Sequence, residues 1–148
     1  LVLGMAFSWS IPMAFAAQNN SLPSVVWQLY FAVVIWVLVY DTFYAMVDRE
    51  DDIKIGVKST AIAFGRFDKS ITALLQMIFV SQMILIGASL QLGKLYYTSV
   101  ILVGLLFVYQ QWLIMNRDRD KCFQAFLNNH YVGMVLFIGI AANYAFRI

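Results

Sequence analysis

Long apolar segments alternate with short polar connections along the whole chain. Apolar residues dominate five segments, at residues 1–17, 25–47, 70–92, 98–115 and 129–146. A helix that crosses a bilayer needs about 20 mostly apolar residues, and the first segment, with 17, is the shortest of the five. Pro12 lies inside this first segment, where we expect a kink. The pattern predicts an all-α fold, a multi-pass transmembrane helical bundle with about five spans.

The composition agrees with a membrane protein. Hydrophobic residues make up 62% of the 148 residues and charged residues 12%, whereas soluble domains are typically about 45–50% apolar and about 25% charged. The formal net charge of +2 is too small to form the basic footprint of a nucleic-acid-binding protein. We therefore expect membrane lipid, and no nucleic acid, as a partner.

The positive charges predict the topology of the bundle. The connections at residues 48–69 and 116–128 hold eight of the ten Lys and Arg residues, whereas the other connections between segments hold only Lys94. Because the charged and uncharged connections alternate, five spans place both charged ones on the same side. The positive-inside rule assigns that side to the cytoplasm.

An acidic cluster ends the second apolar segment, in the stretch YDTFYAMVDREDDIKIGVKST at residues 40–60. A carboxylate at the centre of a membrane helix costs about 2.5–3.5 kcal/mol on insertion scales, so such groups usually serve a ligand or a cation. Asp41, inside the apolar run, is either functional or hydrogen-bonded to neighbouring helices. We interpret Glu50 and Asp51 as residues of a solvated loop.

The spacing of the other acids indicates a divalent cation. Asp48 and Asp52 are four residues apart and Asp41 is seven before Asp48, so the three share one helix face. A cation that takes oxygen from two carboxylates relieves their repulsion, and Mg²⁺ typically binds one or two carboxylates, several waters and substrate phosphates. The residues predict a Mg²⁺–diphosphate site with Asp48 and Asp52 as metal ligands, although a bare D-x-x-x-D at a helix end is also common in solvated loops. The cations that would meet the remaining phosphate charge are Lys54, Lys58 and Arg49.

Several longer motifs resemble one family of membrane proteins. The acids are followed by D-x-K-x-G-x-K-S-T at residues 52–60, which resembles the second aspartate-rich motif of the UbiA family of membrane prenyltransferases. The similarity extends in order over nearly the whole chain, and it is greatest to the family members that act on 4-hydroxybenzoate. The segments that carry it are WSIPMAFAA (9–17), YDTFYAMVDREDD (40–52), KIGVKSTAIAFG (54–65), LFVYQQ (106–111) and NNHYVGMVLF (128–137).

The resemblance implies a larger architecture. Family members are bundles of nine membrane helices in two related halves, with one aspartate-rich motif in each half. Residues 1–148 are then expected to be the C-terminal half of a single UbiA-type domain in a bacterial inner membrane. The first motif would lie upstream of Leu1, so we expect these 148 residues alone to be inactive.

The resemblance also implies a reaction. A polyprenyl group would pass from polyprenyl diphosphate to the ring of 4-hydroxybenzoate, ortho to the phenol, with Mg²⁺ as cofactor, in a step of ubiquinone biosynthesis. Asp48 and Asp52 match the family's D-x-x-x-D, Lys54 and Lys58 match the basic residues after it, and many relatives have an acid at the position of Asp41. We expect Tyr44, on the acidic face, to stabilise the allylic cation through cation–π contact.

Two alternatives remain open from the sequence. One is a family member with another acceptor, such as a naphthoate or a porphyrin derivative. The other is an ion-coupled transporter, in which acids on a broken membrane helix couple to Na⁺ or H⁺. A requirement for Mg²⁺ distinguishes the prenyltransferases from the transporter.

Overall fold

The computed structural model describes residues 2–146, which are almost entirely helical. No strand occurs in this range, so the predicted all-α fold is confirmed. One-turn 3-10 helices occupy Gly65–Phe67 and Ile114–Asn116. The α-helices are α1 (Val2–Ser8), α2 (Ser10–Asn19), α3 (Ser24–Val47), α4 (Arg49–Ile55), α5 (Thr60–Phe64), α6 (Asp68–Ser89), α7 (Lys94–Leu113) and α8 (Arg119–Ala145).

Within residues 2–146, four helical stretches rather than five are long and apolar enough to cross a membrane. They are Ser24–Val47, Thr60–Ser89, Lys94–Asn116 and Arg119–Ala145. The first predicted segment, whose Leu1 lies outside the described residues, is instead divided at Trp9 into α1 and α2. Pro12 has no N–H for the carbonyl of Ser8, and its ring crowds that carbonyl. The break therefore lies one turn before the proline at which we expected it.

The helices extend beyond their apolar segments. Helix α8 begins at Arg119, ten residues before the apolar segment that predicted it, because Asp118 caps its first turn. The Asp118 carboxylate accepts the backbone N–H of Lys121 at 3.1 Å, a typical N-cap interaction. The long loops predicted at 48–69 and 116–128 are likewise mostly helical, since backbone hydrogen bonding does not require apolar side chains.

The long helices pack around two apolar clusters. Helix α3 contacts α6 and α8, and α7 contacts both α6 and α8. One cluster surrounds the buried rings of Phe79, Tyr96 and Phe107. The second is formed by residues of α3, α5, α8 and the end of α7, including Phe43 and Cys122, and it lies under the polar end of the bundle.

The two charged connections meet at this polar end. The Lys69 ammonium donates a hydrogen bond to the carbonyl of Met115 at 2.9 Å, and the Arg117 guanidinium pairs with Asp68 at 2.6 Å. These contacts confirm that both connections lie at the same end of the bundle.

Candidate functional site

The aspartate motif lies where α3 joins α4. The Asp48 N–H donates to the carbonyl of Tyr44 at 3.3 Å, and the Asp48 carbonyl accepts the N–H of Asp52 at 2.8 Å. Helical hydrogen bonding therefore continues across the join, although Asp48 itself, with φ −94° and ψ 4°, departs from helical geometry. Asp48 and Asp52 are one hydrogen-bonded turn apart, in agreement with the interpretation of their spacing.

Charged contacts from α8 reach the motif. An Arg119 guanidinium nitrogen lies 3.7 Å from an Asp48 oxygen and 3.3 Å from an Asp51 oxygen. Asp51 also accepts a hydrogen bond from Lys54 at 3.1 Å. This bond, together with the positive charge of Lys54, holds the pKa of Asp51 below its ordinary value. Asp51 is exposed, as expected for a solvated residue, but it is paired on both sides.

The carboxylates of Asp41 and Asp52 have no partner among the described side chains. Within residues 2–146 neither carboxylate forms a hydrogen bond or an ion pair, so neighbouring helices of this range do not hold Asp41. No three His, Cys, Asp or Glu side chains in the same range are grouped to hold a metal ion. Two carboxylates from Asp48 and Asp52 still fit the donor set of Mg²⁺, which takes its other oxygens from water and phosphate.

The three predicted phosphate-binding cations differ in their surroundings. Lys54 pairs with Asp51, and Arg49 donates from Nη1 to a carboxylate oxygen of Asp68 at 2.9 Å. Lys58 is exposed and forms no ion pair with any residue between 2 and 146. It follows Gly56, whose φ of 74° ends α4 in the left-handed region that favours glycine.

Two hydroxyl groups beside Lys58 were not predicted as site residues. The Ser59 Oγ and Thr60 Oγ1 atoms are shielded from solvent and have no hydrogen-bond partner among the described residues. Ser59 is in the N-cap position of α5, yet its side chain caps no backbone N–H. A serine before an apolar helical run predicts a cap, so the lack of a partner for these hydroxyls could not be predicted from the sequence.

Aromatic rings of α3 and α8 adjoin the motif. The Tyr44 ring is partly exposed and lies 5.1 Å, centroid to centroid, from the ring of Phe126. Tyr40 contacts Phe126 at 6.1 Å and Trp36 at 5.7 Å. A cavity of about 320 Å³ opens here, lined by Trp36, Tyr40, Phe126, Leu127, Asn129 and His130. A larger cavity of about 550 Å³, between α6 and α7, contains none of the predicted site residues.

A buried ion cluster lies next to the motif, and sequence reasoning missed it. Asp68, the first residue of α6, is 0% exposed. Its carboxylate accepts hydrogen bonds from Arg49 at 2.9 Å, from Arg117 Nη2 at 2.6 Å and from the backbone N–H of Lys69 at 2.7 Å. The hydrogen bond to Asp68 raises the pKa of Arg117 above its ordinary value. No local pattern distinguishes Asp68 from a solvated acid that begins a helix.

The most similar relatives found include three proteins named 4-hydroxybenzoate octaprenyltransferase. The protein from Photobacterium profundum is 60% identical over 95% of this chain, the one from Salmonella paratyphi C 58% over 97%, and the one from Aeromonas hydrophila 56% over 97%. The chain covers 49%, 50% and 50% of them, respectively, and thus spans about half the length of these relatives. No solved structure matches the chain.

The family is also identified directly. The model of the UbiA prenyltransferase family matches residues 1–139, which include the aspartate motif and all four long apolar helices up to the last turns of α8. The resemblance seen in the motifs is thereby confirmed, and the chain belongs to the UbiA prenyltransferase family.

Proposed function

We propose that the full-length protein carrying this chain transfers a polyprenyl group from polyprenyl diphosphate to the ring of 4-hydroxybenzoate, ortho to the phenol, in ubiquinone biosynthesis. The observation that supports it best is the pair of carboxylates, Asp48 and Asp52, one helical turn apart at the polar end of a membrane helix. The proposed acceptor, 4-hydroxybenzoate, is the one in the names of relatives up to 60% identical.

In this proposal Asp48 and Asp52 hold Mg²⁺. The bound cation would supply charge neutralisation for the diphosphate leaving group. The Lys58 ammonium and the unpaired hydroxyls of Ser59 and Thr60 would contact phosphate oxygens, since all three donors lie together in sequence directly after the motif.

Lys54 and Arg49 would add to this contact in different degrees. Lys54 is 70% exposed and its pair with Asp51 is exposed too, so the ammonium can turn to a phosphate at little cost. Arg49 already uses Nη1 for the buried Asp68, which leaves only its other N–H groups for a substrate.

We assign the aromatic rings and Asp41 to the prenyl group, because the reaction places positive charge on it. The allylic C–O bond breaks with its electron pair on the diphosphate, the ring carbon ortho to the phenol forms the new C–C bond, and that carbon then loses its proton. The faces of Tyr44 and Phe126 would stabilise the allylic cation, and the unpaired Asp41 carboxylate, on the same helix, would add negative charge near it.

The proposed setting is the bacterial inner membrane, with the aspartate motif on the cytoplasmic side. The support is the positive-inside rule together with the two basic connections that meet at this end of the bundle. Both proposed substrates and membrane lipid are then partners of the protein.

The test uses a protein of the relatives' full length that contains these residues. Membranes receive labelled 4-hydroxybenzoate and a polyprenyl diphosphate, with and without Mg²⁺. Asp48→Asn should abolish Mg²⁺-dependent transfer of label into lipid. Glu50→Gln is the matched control, because Glu50 is an exposed acid of α4, two residues after Asp48, with no proposed role, and it should retain activity.

Each other result would change a particular part of the proposal. Full activity of Asp48→Asn would contradict the metal site, and transfer without Mg²⁺ would contradict the cofactor. Transfer to a naphthoate or another aromatic acceptor alone would replace 4-hydroxybenzoate. Absence of any transfer, with uptake of a solute driven by Na⁺ or H⁺, would favour the transporter.

A further inference from the structure

Helix α4 carries half of the aspartate motif but has no apolar anchor. None of the residues Arg49–Ile55 is buried, so packing against the core does not determine where this helix lies. Its position depends on its chain connections and on charged contacts with other helices.

These charged contacts differ in strength. The pairs of Arg119 with Asp48 and Asp51 are exposed, with Arg119 61% accessible, and exposed pairs are weak and screened by salt. The pair of Arg49 with Asp68 joins α4 to α6, and its carboxylate is completely buried. A charge-assisted hydrogen bond to a buried carboxylate is short and well oriented. This pair is therefore the firmest side-chain contact that ties the start of α4 to the bundle.

The position of Arg49 in the sequence gives this contact its significance. Arg49 directly follows Asp48 and precedes Asp52 by three residues. The backbone hydrogen bond between Asp52 and Asp48 closes this turn, and the Arg49–Asp68 contact orients the turn against the bundle. On the other side, Arg117 donates to both Asp68 oxygens, at 3.0 Å and 2.6 Å. The Asp68 carboxylate thus has partners other than Arg49, and one of them, the backbone N–H of Lys69 at 2.7 Å, does not depend on a side chain.

We propose that Asp68 is a positioning residue for the metal–diphosphate site. Through Arg49 it holds the first turn of α4 so that Asp48 and Asp52 present their carboxylates to one cation. This inference rests on the proposed function, since it assumes that these two aspartates bind the metal. Asp68 itself does not contact the cation or the substrates.

Loss of groups that orient metal ligands typically weakens metal binding by about 10- to 100-fold. We expect Asp68→Asn and Arg49→Gln each to weaken binding about tenfold. The double variant should be no worse than either single one, because both changes remove the same link. Arg49→Lys keeps the positive charge and should recover part of the affinity.

The experiment measures metal binding without catalysis. Purified full-length protein in detergent is titrated with Mn²⁺, a paramagnetic substitute for Mg²⁺, with and without inorganic diphosphate, and bound ion is followed by electron paramagnetic resonance. Arg117→Gln is the matched control, since it removes an ion pair from Asp68 but leaves the link to α4 and the hydrogen bond from the Lys69 N–H to Asp68. This variant should have a lower melting temperature, yet its affinity for Mn²⁺ should stay within about twofold of that of the unchanged protein. That change is much smaller than the roughly tenfold loss of affinity expected when the Arg49–Asp68 link is removed.

The outcomes separate this inference from the proposed function. Mn²⁺ binding that Asp48→Asn abolishes and Asp68→Asn leaves unchanged would overturn the inference alone. Equal losses of affinity in Arg117→Gln and Asp68→Asn would reduce Asp68 to a structural role. No specific Mn²⁺ binding in the unchanged protein would instead contradict the metal site itself. If Asp68→Asn does not fold, the comparison of Arg49→Gln with Arg49→Lys tests the same link.

Discussion

Asp48 and Asp52 have the same side chain but different neighbours. The Asp48 carboxylate lies 3.7 Å from Arg119, whereas Asp52 has no such partner within residues 2–146. A guanidinium at this distance partly occupies the place where a cation would bind. Because the pair is exposed, a divalent cation can displace it at small cost.

Removal of this competing charge should strengthen metal binding. We predict that Arg119→Gln binds Mn²⁺ a few-fold more tightly when diphosphate is absent, and that high salt abolishes the difference. The melting temperature should hardly change, since exposed pairs contribute about 0–1 kcal/mol. Lys121→Gln, an exposed cation of the same helix, is the control. Weaker binding in Arg119→Gln would mean that Arg119 helps to hold the site.

We expect the face of the Tyr44 ring, rather than its hydroxyl group, to contribute to the rate of prenyl transfer. Tyr44→Leu should lower the transfer rate roughly two- to fivefold, the equivalent of about 0.5–1 kcal/mol of cation–π stabilisation at an exposed site. Tyr44→Phe should keep most of the rate, and a single-turnover assay measures both. Equal losses in the two variants would assign the effect to the hydroxyl group.

At the scale of elements, small residues allow α7 and α8 to pack closely. A Cβ atom added at Gly139 would overlap the side chain of Ser99 on α7 and lie 3.6 Å from the Leu95 carbonyl. Close approach of this kind, through small residues, is typical of packed membrane helices.

Gly139→Ala should therefore push these two helices apart. Overpacking of this kind typically costs about 1–3 kcal/mol, which we expect as a lower melting temperature in detergent. Gly104→Ala is the matched control, because a Cβ atom there meets nothing within 4 Å. The control should be neutral or slightly stabilising, since alanine has the higher helix propensity. Equal melting temperatures for the two variants would contradict the close approach.

At the scale of the whole molecule, the two ends of the bundle differ in charge. The end with the aspartate motif carries the basic connections, whereas the turn between α6 and α7 has a single cation, Lys94, at the first residue of α7. Cys122 is completely buried, so it should give little background when single cysteines are introduced for labelling.

Cysteine labelling tests the proposed orientation. A membrane-impermeant maleimide added to intact bacterial protoplasts should label Ser89→Cys, at the exposed end of α6, but not Glu50→Cys. Glu50→Cys should react only after the membrane is permeabilised. The reverse pattern would place the aspartate motif outside the cytoplasm and contradict the topology.

The sequence by itself determined the features that depend on neighbouring residues. Apolar segment length predicted the long helices, and the four-residue spacing predicted Asp48 and Asp52 one turn apart, because helical hydrogen bonds join residues close in the chain. The apolar pattern did not predict two local features. These are the Asp118 cap, which starts α8 early, and the helix break before Pro12.

Only the tertiary structure decided which distant side chains share the site. Arg49 is predicted from the sequence as a phosphate-binding cation, and only packing of α6 brings the buried Asp68 within hydrogen-bond distance of it as well. Packing of α8 likewise brings Phe126 to Tyr44 and Arg119 to Asp48. The two partners in each of these contacts with α8 are more than 68 residues apart in the sequence, which is the separation of the neighbouring pair Arg119 and Asp51. No local pattern encodes such pairs, because the energy of a charge or a ring depends on burial and on the neighbours that packing supplies.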